Sequence, residues 1–176
     1  MMLSEWFRIK KDPDAPAVNW VAPKKYPYFT DAQSFAEAED CVAYYKSGGR
    51  RFVECDFLFE PTFLIHDKLQ ALFAFLEPDL EFKGVQLYEQ TDYKKFPTPL
   101  YWLPYLPLSD VISEQSEIIR GKASRLVLKS ALPENRRVLH CKLPADDIWL
   151  LSLEAAECLL RRQPVGIVLE KIFSQE

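Results

Sequence analysis

Residues 63–88 read FLIHDKLQALFAFLEPDLEFKGVQLY, and their hydrophobic period changes twice. Phe63-Leu64-Ile65 is a short apolar run of strand type. From His66-Asp67 onward, Leu69, Leu72, Phe73 and Leu76 recur at helical spacing and form one core-facing stripe. Pro78 stops the helix, because proline has no N–H to continue the ladder. Gly84-Val85-Gln86-Leu87-Tyr88 reads as the next strand. Residues 149–170, WLLSLEAAECLLRRQPVGIVLE, give the same order. Trp149-Leu150-Leu151-Ser152 falls on Phe63-Leu64-Ile65-His66, and the helix Leu153–Arg162 on Asp67–Leu76. Pro164 falls on Pro78 and Gly166 on Gly84, after a gap of four residues. The order strand, capping residue, helix, proline, glycine, strand points to an internal duplication. A strand–helix–strand unit of this size cannot bury its apolar face alone, so the two are expected to flank a shared sheet.

Working outward, Val53, Cys55, Phe57 and Phe59 alternate with Glu54, Asp56, Leu58 and Glu60, which predicts a strand over 52–60 with one buried face. Residues 31–46 read as a helix: Thr30 and Gln33 fit a capping box, Phe35, Ala38, Val42 and Tyr45 follow at helical spacing, and Gly48-Gly49 ends it. Residues 1–29 carry Pro13, Pro16, Pro23 and Pro27 among Trp6, Trp20, Tyr26 and Tyr28, and are expected as short extended pieces packed over the body. Glu117-Ile118-Ile119, Arg125–Lys129 and Arg137–Cys141 read as short antiparallel strands. The expected fold is α+β, a single domain over 1–176 with a mostly antiparallel or mixed sheet and two or three helices. Within it, 1–50 is the proline- and aromatic-rich N-terminal part with one helix. The body is 51–176, with its repeat at 63–88 and 149–170.

The chain has 176 residues, of which 48% are apolar and 27% charged. That supports an ordinary core and excludes wholesale disorder. The net charge of −4 argues against a general nucleic-acid binder, which needs a basic face. Glycine numbers 5 where about 12 would be average, and neither GxGxxG nor GxxxxGK[ST] occurs. Nucleotide-cradling loops are therefore not expected, and no cofactor is assigned. The start MMLSEWFR has no basic region followed by an apolar run, and no stretch is long and apolar enough for a membrane helix. Cys41, Cys55, Cys141 and Cys158 show no CxxC spacing, so they read as buried thiols in a reducing cytoplasm rather than as metal ligands.

The two histidines offer little for catalysis. His140 and Cys141 are neighbours on a strand and point to opposite faces. Cys55 and His66 are more suggestive, but His66 holds the helix-start position that Ser152 fills in the second repeat. The carboxylates gather at Glu37, Glu39 and Asp40, at Glu77, Asp79 and Glu81, and at Asp146-Asp147, and read as solvated surface. Glu37 and Asp40 lie on an expected exposed helix face suited to attracting a basic partner. The most unusual stretch is FPTPLYWLPYLP, residues 96–107. Its prolines disfavour ordinary sheet pairing, and its aromatics suit either a buried crossing loop or interface anchors. Tyr101, Trp102 and Tyr105 are the candidate protein-binding residues there.

From about residue 84 to 173 the chain resembles the immunity proteins of bacterial polymorphic toxin systems, in particular an α+β family first catalogued as a domain of unknown function. The resemblance is carried by the strand at 84–88, the irregular aromatic segment and the serine-containing stretch near Asp110–Ser116. It extends through the closing unit, in which Ser152 starts a helix and Gly166 precedes the last strand. His140-Cys141 departs from the aromatic-basic pattern usual in that family. The resemblance implies a non-catalytic cytoplasmic protein that binds and neutralises a cognate toxin. It implies no metal, nucleic acid or membrane partner, and leaves monomer or homodimer open. The alternatives are an adaptor or structural protein-binding module, and a thiol- or carboxylate-dependent enzyme.

Overall fold

The computed structural model describes residues 5–15, 20–22, 31–46, 53–88 and 99–174. In chain order these form β1 (Trp6–Lys11), β2 (Trp20–Val21), α1 (Ala32–Glu37), β3 (Cys41–Lys46), β4 (Phe57–Leu58), β5 (Leu64–His66), α2 (Asp67–Leu76), β6 (Glu81–Tyr88) and β7 (Leu100–Tyr105). They continue with β8 (Glu117–Ile119), β9 (Lys122–Arg125), β10 (Val127–Leu128), β11 (Val138–Leu143), β12 (Asp146–Ser152), α3 (Leu153–Leu160) and β13 (Ile167–Ser174). The class is α+β, with mixed and antiparallel sheets and three helices among the described residues.

The chain forms two compact units rather than one shared sheet. One comprises residues 1–10, 106–164 and 168–176, and the other 11–105 and 165–167. The first holds a five-stranded sheet in the order β10-β13-β1-β12-β11 and the separate β8-β9 hairpin; the second holds a six-stranded sheet in the order β2-β3-β6-β7-β5-β4. Each has its own core. Trp6, Leu128, Leu139, Ile148 and Leu150 pack in the five-stranded unit. Phe35, Tyr44, Leu64, Val85 and Tyr101 pack in the six-stranded unit.

The strand orders of the two units correspond. In the six-stranded sheet, α2 links β5 to β6, and β7 runs between them antiparallel to both. In the five-stranded sheet, α3 links β12 to β13, and β1 lies between them. β1 is antiparallel to β12, with Trp6 opposite Ser152 and Arg8 opposite Leu150. Contacts at 5/171, 10/170 and 12/166 step in opposite senses along β1 and β13, so that pair is antiparallel too. Outward, β4 pairs with β5 as β11 pairs with β12, both antiparallel, and β3 lies parallel to β6 as β10 does to β13. Segments 63–88 and 149–170 thus occupy the same place in their own sheets. The glycines do not share a role: Gly84 sits inside β6 against Cys41, whereas Gly166 precedes β13 with φ +88°, and a Cβ there would meet Cys55 at 2.9 Å.

Several local expectations are corrected. The helix expected over 31–46 stops at Glu37, and its second half is β3. Val42, Tyr44 and Lys46 are buried while Cys41 and Tyr45 are exposed, a period of two that pairing with β6 enforces. Asp31, not Thr30, caps α1 by accepting from Ser34 N at 2.8 Å. Thr30 and Gly48-Gly49 lie outside the described residues. Among the described residues of the strand expected over 52–60, only Phe57–Leu58 is a strand, because Asp56 turns inward instead of outward. β1 is a sheet strand rather than a covering piece.

Charged residues expected at the surface are also buried. Glu77 is 3% exposed. Asp146 receives Arg8 Nη2 at 2.6 Å on one oxygen and Ala123 N at 3.1 Å on the other. Asp146→Ala would leave the buried Arg8 cation and the half-buried Ala123 N–H without their carboxylate, which costs about 3 kcal/mol. Chemical denaturation of the variant should show an unfolding free energy lowered by that amount, read as a lower midpoint at unchanged slope. An unchanged midpoint would mean that water replaces the carboxylate at no cost.

Candidate acidic interface

The start of β3, the start of β6 and the end of β7 meet at one end of the six-stranded sheet. β3 and β6 are parallel, with Cys41 opposite Gly84, and Glu81 of β6 lies opposite Tyr105 of β7. This register gathers side chains from distant parts of the sequence. Asp31, Glu37, Glu39, Asp40 and Glu81 are all exposed there. Among the described residues, Lys83 is a cation that meets this group. Its Nζ binds Asp40 Oδ1 at 2.9 Å and the Ala38 carbonyl at 3.0 Å, and lies 5.5 Å from the centre of the Phe35 ring. Phe35 in turn stacks on Tyr105 at 4.9 Å.

The hydrogen bond and charge of Lys83 hold the Asp40 carboxyl below its usual range. Burial pushes the Tyr105 hydroxyl up, and the charges of Asp31 and Glu81 add to the shift. The surface therefore has an aromatic floor under a rim of carboxylates. The unit as a whole carries 15 acidic and 10 basic residues, a net of −5.

Of the residues selected from the sequence, Glu37 and Asp40 are both exposed at this end. Asp40 does not share a helix face with Glu37; it precedes β3. Tyr101 is fully buried and Tyr105 is 7% exposed, so neither is an outward-facing anchor. The prolines do not prevent pairing. β7 pairs with β6 from Leu100 to Tyr105, and Pro104 lies beyond the two-residue contact with β5. Phe96–Thr98 lie outside the described residues. Trp102 is half-buried, and its Nε1 donates to Asp67 Oδ1 at 2.7 Å. Asp31 and Glu81 were not selected, since nothing local in the sequence joins them; Glu81 reaches Tyr105 through the sheet register and Asp31 through the packing of α1 on that tyrosine.

The thiol and imidazole candidates are committed elsewhere. His66 caps α2, with Nδ1 accepting from Lys68 N at 3.1 Å and Nε2 meeting Glu54 Oε1 at 2.6 Å. Burial pushes the Cys55 thiol up, helped by Asp56, and its Sγ faces the Val53 carbonyl at 3.6 Å. The Tyr101 hydroxyl donates to the Cys55 carbonyl. Asp56 accepts from Val165 N at 2.7 Å and pairs with Lys68 at 2.5 Å. These bonds fasten residues 54–56 to the start of α2. His140 stacks on Trp149 at 4.2 Å, with Nε2 2.6 Å from Asp147 and Nδ1 3.0 Å from the Leu106 carbonyl. The four cysteines are free; Cys41 is exposed and Cys158 half-buried, not buried as expected. Among the described residues, no helix is long and apolar enough to cross a membrane.

Comparison with known families and with curated proteins finds no matching family model and no matching curated protein.

Proposed function

We propose that the chain is a non-catalytic immunity protein that acts in the cytoplasm by binding a cognate basic toxin domain. The observation that carries this reading is the convergence of Asp31, Glu37, Glu39, Asp40 and Glu81 on one end of the six-stranded sheet. Among the described residues, Lys83 offsets part of this charge through its pair with Asp40. Such a field speeds encounter with a cation-rich surface and disfavours acidic partners. Carboxylates at this end can receive arginines and lysines of a toxin and cover its active cleft. The commitment of both histidines to structural bonds supports a binding role over a hydrolytic one.

Co-expression tests the reading. The chain should restore growth to cells producing the toxin domain encoded immediately upstream of it. Wild-type association should slow as salt rises, and the Glu37→Lys, Asp40→Lys chain should fail to protect, with affinity lowered about tenfold or more and that salt dependence lost. A folded wild-type chain that neither protects the cells nor binds the purified toxin domain would overturn it.

A further inference from the structure

We propose that the β8–β9 hairpin is a second docking element, built for an acidic protein segment that carries an apolar side chain. It lies in the other unit and has the opposite charge, so it goes beyond the acidic interface and does not rest on it. Residues Glu117–Arg125 hold one acidic and three basic residues, a net of +2 on a chain of net −4. Arg120, Lys122 and Arg125 are exposed, and none forms an ion pair among the described residues. Between them, Ile118 is 48% and Ile119 62% exposed. Adjacent strand residues point to opposite faces, so the hairpin offers an isoleucine on each.

The hairpin is held still at both ends. At its base, the Ser116 hydroxyl both accepts from Val127 N and donates to Val127 O, each at 2.9 Å. At its tip, Ala145 N donates to Gly121 O at 3.0 Å, and a Cβ on Gly121 would meet Ala145 N at 3.1 Å. Asp146, already bound to Arg8, accepts from Ala123 N in mid-strand. Rigid apolar side chains lose little freedom on binding, so this arrangement favours an interface.

The turn itself is not optimised for stability. Arg120 has φ +51° and Gly121 φ +78°, a two-residue turn whose first position prefers asparagine, aspartate or glycine. An arginine there keeps its charge at the expense of the backbone. No aromatic ring lies within 117–125 to stack on bases, which disfavours a nucleic acid. Arginines beside branched aliphatics fit a protein surface whose rim is acidic.

Selection of random peptides of about twelve residues, displayed on phage, against the full chain tests this. Enriched peptides should combine net negative charge with an apolar residue. Synthetic copies should bind the Glu37→Lys, Asp40→Lys chain as well as wild type, which separates this result from the toxin reading. Arg120→Asn should weaken them about tenfold while raising Tm by about 2–4 °C, since asparagine suits the turn. Ile119→Asp should abolish binding. The proposal is overturned if no peptide is enriched over an Ile119→Asp control, or if enriched peptides are not acidic. It is equally overturned if both variants bind them normally, or if the hairpin variants instead lose sedimentation with phosphatidylserine vesicles, which would assign the element to a membrane.

Discussion

A chain lacking residues 1–11 is expected to lose its five-stranded sheet, and the same residues placed after Ser174 are expected to restore it. β1 is the central strand of that sheet, flanked by β12 and β13. Its removal separates two strands that have no direct bonds to each other. It also takes Trp6 and Ile9, each 3% exposed, out of the core and leaves Asp146 without Arg8. Losing two such side chains costs about 4–6 kcal/mol, close to the whole stability of a typical domain of 5–15 kcal/mol. The six-stranded sheet takes its equivalent strand, β7, directly after β6. β13 ends beside the beginning of β1, so a linker of about five residues suffices to rejoin them as a hairpin. Amide hydrogen exchange would read both outcomes. In the truncated chain, protection should vanish from β11 to β13 and persist in β6 and β7. In the permuted chain it should return throughout. Full protection in the truncated chain would mean that β12 and β13 close on each other, and the correspondence of the two sheets would then have no energetic content.

The elements readable from the sequence were those whose signal is local. The helices at 67 and 153 follow an apolar stripe and a capping side chain, and both caps, His66 and Ser152, perform that task. The strands at 117–119 and 138–143 appear where short apolar runs placed them, but the run expected over 125–129 is a strand only at Val127–Leu128, which pairs in parallel with β13 instead of antiparallel with its neighbours, while Arg125 belongs to β9. What was not readable depends on partners far away in sequence. Phe35, Ala38, Val42 and Tyr45 satisfy helical spacing, yet pairing with residues 84–88 makes 41–46 a strand. Pro104 looked incompatible with a sheet, but its neighbour on one side ends before reaching it. Asp56, Glu77 and Asp146 looked like solvated carboxylates, and a buried carboxylate is recognisable only through the donors around it. The candidate surface divides in the same way. Glu37 and Asp40 are exposed, as their polar context suggested, while the aromatics at 101 and 105 belong to the core. Glu81 joins the surface through register with Tyr105, and Asp31 through the stacking of Phe35 of α1 on the same tyrosine.

Alkaline pH is expected to destabilise both units between about pH 10 and 12, the six-stranded unit most. Tyr44 is fully buried, and its hydroxyl has no hydrogen-bond partner among the described residues. Burial pushes its pKa up to about 12. Burial also raises Tyr101, with Glu54, Cys55 and Asp56 adding to the effect. In the other unit burial raises the Cys141 thiol to about 12, with Asp110 and Asp147 contributing. In each case the folded state protects the neutral form. Below about pH 8 the protons are bound in both states and stability is complete. As pH rises past the ordinary thiol and phenol values, near 8.5 and 10, the unfolded chain releases protons that the folded chain keeps, so stability falls. The loss is full once pH passes the folded value of about 12. Two to three pH units per group correspond to roughly 3 kcal/mol each, a large part of the stability of a typical domain. Circular dichroism and tyrosinate absorbance, followed on one sample, should show the buried phenols ionising only as the sheets melt. Tyr44→Phe should move the melting of the six-stranded unit to higher pH and leave that of the five-stranded unit in place, because it removes an ionisable group and a buried hydroxyl without a partner at once. Ionisation of the buried tyrosines while the sheet signal is intact would show that these hydroxyls reach water in the folded protein, and the alkaline instability would then need another source.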